Sequence, residues 1–218
     1  MFNHIFSKSH IKRINNKLIK LGNYQNKGNY YLNVKLIFLI FIFFYNIVLG
    51  VYGLLISPII TIIMYFVYDY ICLDLPIKRR TYKLEKESIT FFKVVYFAYL
   101  SNKNLKMSLM IATKNMDSEL SKEFNKVFEE TNYGKNLYDA LKDLENRIPS
   151  AKLKIIISNI NEAIHIGNDV TELLNNQINY LEECNCLEEE KKYAKLPLKL
   201  CFAVLLLIVP TVIILIRL

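Results

Sequence analysis

Residues 36 to 73 carry a single charged side chain, Asp69, and this apolar run limits what the chain can become more than any other feature. As helix, its 38 residues would reach roughly 57 Å at about 1.5 Å per residue, close to two crossings of a ~30 Å hydrocarbon core. Gly50, Gly53, Ser57 and Pro58 fall in its middle, where poor helix propensity and the fixed φ of proline favour a tight turn. The expected element is a transmembrane hairpin over residues 36–75. Lys8, Lys12, Arg13, Lys17, Lys20, Lys27 and Lys35 precede it, Lys78, Arg79, Arg80 and Lys83 follow it, and the turn is uncharged. Both ends are therefore expected on the cytoplasmic side. Tyr30, Tyr31, Tyr65, Tyr68 and Tyr70 can form the interfacial aromatic belt.

The chain has 28 Lys and Arg against 20 Asp and Glu. By segment the balance is +7 over 1–35, −2 over 36–75, +1 over 76–195 and +2 over 196–218. A nucleic-acid binder concentrates its basic residues on a folded domain, whereas these crowd one flank of an apolar stretch, so no nucleic-acid partner is expected. The six glycines cannot assemble a phosphate-cradling G-x-x-x-x-G-K-[ST] or G-x-G-x-x-G loop, so any ATPase must be a partner. Cys72 and Cys201 lie in apolar runs and Cys184 and Cys186 form C-x-C, which suggests reduced thiols.

The first 21 residues of the basic segment 1–35 lack a compact apolar region and a small-residue cleavage site, so no cleaved signal peptide is expected. Within it Ile11, Ile14, Leu18 and Leu21 repeat at helical spacing between cations, as in a helix lying on anionic lipid. A further span is expected over 196–218, interrupted by Pro197, Lys199 and Pro210. Lys199 stands near its cytoplasmic end and can snorkel to the headgroups. The C-terminus would then be external and the N-terminus cytoplasmic.

Residues 76–195 read as helix throughout. Leu120, Phe124, Val127 and Phe128, then Leu137, Ala140, Leu141 and Leu144, then Leu153, Ile156, Ile157 and Ile160 each mark one face of an amphipathic helix. Breaks are expected at Ser101 to Asn104, at Asn132 to Asn136 after a helix started by Asp117 or Ser118, at Pro149 and Ser150, and at Gly167 to Asp169. Three turns repeat at steps of 32 and 33 residues: Asn102-Lys103-Asn104-Leu105-x-x-Ser108-Leu109, Gly134-Lys135-Asn136-Leu137-x-x-Ala140-Leu141 and Gly167-Asn168-Asp169-Val170-x-x-Leu173-Leu174. Asn102, Gly134 and Gly167 open these turns as residues tolerant of left-handed backbone. Polar caps follow, then an apolar triplet that docks the next helix. Asp169 and Glu172 supply an N-cap and an N3 carboxylate to the last of these helices. The fold class expected is all-α: a polytopic membrane protein with a transmembrane hairpin, a cytoplasmic helical-hairpin bundle and a C-terminal transmembrane helix.

This order, with G-x-x-L-x-x-A-L at the second turn and a long charged helix before the last span, resembles the type II secretion system F-domain family over about residues 85–216. The segment Ala194-Lys195-Leu196-Pro197-Leu198-Lys199-Leu200, followed by apolar residues and Pro210, is similar to the tight-adherence (TadC-like) branch. Asn102 stands where the family usually has glycine, Ala163-Ile164-His165-Ile166 replaces a tighter Gly-Glu-x-x-Gly pattern, and one F domain is present rather than two. The resemblance implies a non-catalytic, homo-oligomeric platform of a Tad, type IV pilus or type II secretion-like machine. Its implied partners are a cytoplasmic assembly ATPase, pilin or pseudopilin subunits, other membrane components and the lipid bilayer.

Two other chemistries compete. Glu162 and His165 form E-x-x-H, but a di-iron bundle needs two such motifs plus two further glutamates, and the other histidines are His4 and His10, so no metal or cofactor is expected. A membrane enzyme using Glu162 and His165 would lose activity on His165→Ala. The 32 to 33 residue period also fits a membrane-tethered helical-repeat scaffold that recruits a cytosolic protein. Glu188, Glu189 and Glu190, ahead of Lys191, Lys192 and Lys195, are first a solvated helix face and second an ATPase contact. Lys195, Pro197, Lys199 and Pro210 are the residues expected to couple the domain to the membrane, with Pro197 as a kink in a helix running into the last span.

Overall fold

The computed structural model describes residues 8–22, 28–48, 51–166 and 170–197. Among these residues it is helical with no strand. Helix α1 spans Lys8–Lys20, α2 Gly28–Val48 and α3 Val51–Asp69. A π-helical turn, Tyr70–Asp74, joins α3 to α4, Leu75–Asn102. Then follow α5 (Leu105–Asn115), α6 (Glu119–Asn132), α7 (Leu137–Arg147), α8 (Ala151–Ile166) and α9 (Thr171–Ala194).

Helices α2 and α3 pack on each other as a helical hairpin, which differs from the expected element in two ways. The first helix starts at Gly28, inside the segment read as a basic arm, and Pro58 lies within α3 rather than in the turn. The helix persists through this one proline, which forfeits a single backbone donor. Among the described residues one unbroken helical run, Pro58–Asn102, is long and apolar enough to cross a membrane, and Gly28–Phe44 is apolar over a shorter length. Only 6% of the most apolar stretch of Pro58–Asn102 is buried inside the chain, which separates it from the core helix of a soluble domain. The proposed C-terminal span, with Lys199 and Pro210, lies outside the described residues.

Beyond the hairpin, α4 to α9 close around one core. Helix α4 is its axis, burying Leu84, Phe91, Phe92, Val95 and Tyr99 along one stripe. Phe91 stacks on Phe124 of α6 with ring centroids 4.8 Å apart. The apolar faces read from the sequence of α6, α7 and α8 all enter this core, with Leu137 at its margin. Truncating Phe124 to alanine would cost about 3–5 kcal/mol through lost burial and the cavity left behind.

Helix α9 runs antiparallel to α4. Lys93 pairs with Glu182 at 2.5 Å, while eleven residues back along α4 the Tyr82 ring receives Lys192 at 3.8 Å. The long charged helix thus returns to the end of the domain where α4 begins. That end is the base of the domain.

Candidate coupling site at the base of the domain

The base is tied together by charge pairs that reach between elements distant in sequence. At the junction with the hairpin, Lys35 Nζ on α2 lies 2.8 Å from Asp69 Oδ2 at the end of α3, and the Tyr31 hydroxyl donates to the other carboxylate oxygen at 2.9 Å. Lys35 is 1% exposed, with its ammonium 3.3 Å from the Tyr65 ring centroid. One wide turn later Lys17 of α1 pairs with Asp74 at 2.5 Å. The π turn inserts one residue into the helix and so rotates the faces of α4 against those of α3 by about 100°. It also places two carboxylates where α1 and α2 can each hold one.

Helix α1 was expected on lipid, and the structure corrects this. Ile14 and Leu18 pack against Leu32 of α2 and Leu73 of the π turn, with Ile11, Leu21 and Tyr31 at the edge. The apolar face is consumed inside the chain, because a hairpin junction rich in apolar residues is the nearer partner. The Nη1 of Arg80 donates to the Lys20 carbonyl at 2.5 Å, satisfying one of the orphan acceptors at the C-terminus of α1.

Arg80 also opens a buried cluster. Its Nη2 lies 2.6 Å from Glu123 Oε1 on α6, and Glu123 is 2% exposed. Arg147 of α7 reaches the second Glu123 oxygen at 3.7 Å and Glu130 at 2.5 Å. Arg80–Glu123–Arg147 therefore joins α1, α4, α6 and α7. Beside it Lys83 donates to Glu119 at 2.7 Å, and this hydrogen bond, helped by the charges of Lys83 and Arg80 against an opposing burial cost, holds the Glu119 carboxyl below its ordinary range. The Glu87 carboxylate accepts from the Glu119 and Leu120 amides, an N-terminal cap for α6 supplied from another helix. A third group joins α4, α8 and α9: Ser150 Oγ donates to Glu85 at 2.5 Å, and Lys152 bridges Glu85 at 3.3 Å and Glu188.

The expected site residues distribute as follows. Glu188 is spent on Lys152, whereas Glu189 and Glu190 are exposed. Lys195 and Pro197 are exposed at the base. Helix α9 stops at Ala194, and Lys195 forms a tightened turn, its amide donating to Lys192 at 3.2 Å. The regular hydrogen-bond ladder of α9 thus ends ahead of Pro197, which without an N–H cannot bond the Tyr193 carbonyl and whose ring crowds that group. Asn102 sits at the opposite end of α4, roughly 40 Å from Leu75. The left-handed residue there is Lys103 (φ 52°), not Asn102. Asn102 instead accepts from Asn104 N at 2.9 Å and Ser108 Oγ at 3.0 Å, and Asn104 caps α5. Gly134 fills its expected role at φ +95°, with Lys135 N donating to Glu130 O at 3.1 Å, a Schellman closure. Gly167 and Asp169 lie outside the described residues, and α9 starts after Val170 without a side-chain cap.

Glu162 and His165 are both exposed, and the His165 ring meets Tyr138 edge-on at 5.5 Å. Among the described residues no three His, Cys, Asp or Glu side chains converge on a metal position. Cys72, Cys184 and Cys186 are free thiols.

Sequence reasoning passed over Lys35 and Glu123. A signal existed for the first: a lone carboxylate in an apolar run requires a partner, and Lys35 borders that run. None existed for Glu123, whose partners lie 43 residues upstream and 24 downstream.

The family described as Type II secretion system (T2SS), protein F, matches residues 94–216. No curated protein and no solved structure matches the chain.

Proposed function

We propose that this chain, which belongs to the type II secretion system protein F family, is a non-catalytic membrane platform that couples a cytoplasmic assembly ATPase to the polymerisation of pilin or pseudopilin subunits. The family is one of inner-membrane components of secretion and pilus machines. The TadC-like order of the C-terminal segment favours a tight-adherence or type IV pilus-like machine within it. In this reading the chain is multi-pass, with residues 76–195 cytoplasmic, and acts as a homo-oligomer.

The observation that carries the reading is the unbroken helix Pro58–Asn102. Its first part is apolar and uncovered, and its second is the axis of the helical domain. A push on the domain surface reaches the bilayer through one rigid element, and α9 brings a second connection back to the same end. A platform of this kind requires a stiff bundle with two discrete arrangements for the motor to bias. The charge pairs around Arg80, Glu123 and Arg147 are bonds that such a rearrangement would exchange.

The test is affinity purification of a tagged chain from its native membrane. Recovery of an assembly ATPase together with loss of fibre assembly in the deletion strain supports the role. A purified complex without any ATPase, in cells that assemble fibres normally without the gene, refutes it.

A further inference from the structure

A groove of about 510 Å³ opens at the base between the end of α1, the first turns of α4 and the start of α6. Arg79, Arg80 and Lys83 line it from α4, and Lys122 and Lys126 from α6. Two carboxylates share it, and each is matched: Glu123 by Arg80 at 2.6 Å and Glu119 by Lys83 at 2.7 Å. The lining as a whole carries five cations, Arg79, Arg80, Lys83, Lys122 and Lys126, against these two carboxylates. Lys122 lies 3.4 Å from Asp117, whose side chain is 92% exposed, a pairing in high dielectric that neutralises little. Lys126 lies 3.6 Å from Glu123, which Arg80 and Arg147 already engage. Burial, with the fields of Arg147 and Arg80 behind it and Glu123 pulling the other way, lowers the Lys126 pKa. The groove is a pocket of positive potential.

Its walls are built for closeness. Gly22 holds φ +85°, and a Cβ there would come within 3.2 Å of the Arg80 guanidinium. Glycine thus lets the end of α1 descend on Arg80 and form one side of the groove.

Its height fits the membrane surface. Ile71 is the last strongly exposed aliphatic residue of the span, and Arg79 follows eight residues later. Eight residues of helix rise about 12 Å, against the 5–7 Å depth of a headgroup layer. Arginine and lysine side chains can reach back across the difference. A basic pocket beside a span on the cytoplasmic side is the geometry that takes a lipid phosphate.

We propose that this groove binds the headgroup phosphate of an anionic phospholipid from the cytoplasmic leaflet, with Arg79, Lys122 and Lys126 as the recognising cations. The bound lipid would wedge α1, α4 and α6 together and fix the domain's height and tilt over the bilayer. This rests on the part of the proposed function that puts α3 in a membrane with the helical domain on its cytoplasmic side, and stands apart from any coupling to a motor.

Native mass spectrometry of the full chain released from detergent, titrated with phosphatidylglycerol, reads the site directly. The expected wild-type result is one retained anionic lipid, with occupancy at least fivefold lower in Arg79→Gln/Lys122→Gln/Lys126→Gln and unchanged in the control Lys106→Gln/Lys114→Gln outside the groove. Equal melting temperatures of the three proteins in neutral detergent verify that the variants fold. Undiminished occupancy in the triple variant, or an equal loss in the control, overturns the proposal. A zwitterionic phosphatidylcholine retained equally well overturns it too, as does inorganic phosphate at millimolar concentration displacing the lipid completely, since the groove would then be a site for a free anion.

Discussion

The ammonium of Lys35 lies 2.8 Å from the carboxylate of Asp69, joining the two arms of the hairpin at the point where α3 passes into the π turn. Lys35 is almost fully enclosed with its ammonium over the Tyr65 ring, and the Tyr31 hydroxyl donates to Asp69. Removing one partner leaves the other charge uncompensated in a medium of low dielectric. Asp69→Asn should therefore lower stability by about 3 kcal/mol, read as the midpoint of unfolding in lipid nanodiscs. The double change Lys35→Met/Asp69→Leu should recover most of the loss. Equal losses in the single and double variants would show that the pair itself is not what matters.

Glu123 stands between two guanidiniums. Glu123→Gln keeps the shape but leaves Arg80 and Arg147 facing each other, and is expected to cost about 3 kcal/mol. Arg80→Met in the same background should restore part of it, measurable as a double-mutant cycle in urea. Strict additivity of the two changes would contradict a shared cluster.

Lys103 and Gly134, two of the turn residues with positive φ, should respond oppositely. Gly134 has open space where a Cβ would sit, so Gly134→Ala tests backbone conformation alone and should destabilise by about 1 kcal/mol. Lys103 accepts the strain of a left-handed non-glycine residue, so Lys103→Gly should be neutral to stabilising by roughly 0.5 kcal/mol. Circular-dichroism melting curves decide both.

The Lys83–Glu119 link between α4 and α6 defines a pH window. Hydrogen bonding to Lys83 lowers the Glu119 pKa in the folded chain. Its stabilising contribution is then full above the unfolded carboxylate value of about 4.3 and is lost as pH falls through the folded value. The same bond raises the Lys83 pKa, so that contribution is full below the unfolded lysine value of about 10.4 and is lost as pH rises beyond it. Wild-type stability should fall more steeply below pH 4 than that of Glu119→Gln. Parallel pH profiles for the two would remove Glu119 as a source of the acid dependence.

The C-terminal connection should be indispensable to assembly. Deleting residues 196–218 is expected to abolish fibre assembly while the remaining chain stays helical by circular dichroism. Normal fibres from that truncation would separate the domain's work from the C-terminal segment.

Much of this architecture is legible locally. The apolar faces of α6, α7 and α8 follow from side-chain spacing, and the Asn132 to Asn136 turn follows from the need for a left-handed residue at Gly134. What is not legible depends on partners far along the chain. Ile14 and Leu18 read as lipid-facing because nothing nearby in sequence announces Leu32 and Leu73. Pro58 reads as a turn because local propensity outweighs, on paper, the demand of an apolar medium for an unbroken hydrogen-bond ladder. Glu188 reads as free surface because Lys152, its partner, belongs to another helix.

The proposed platform role depends on which side of the membrane the helical domain occupies. Tyr133, at the α6–α7 turn, is 92% exposed and can be replaced by cysteine in a chain whose Cys72, Cys184, Cys186 and Cys201 are changed to serine. A membrane-impermeant maleimide should leave Tyr133→Cys unlabelled in intact cells and label it fully once the membrane is opened. Full labelling in intact cells would put the domain on the outer side, beyond the reach of any cytoplasmic ATPase.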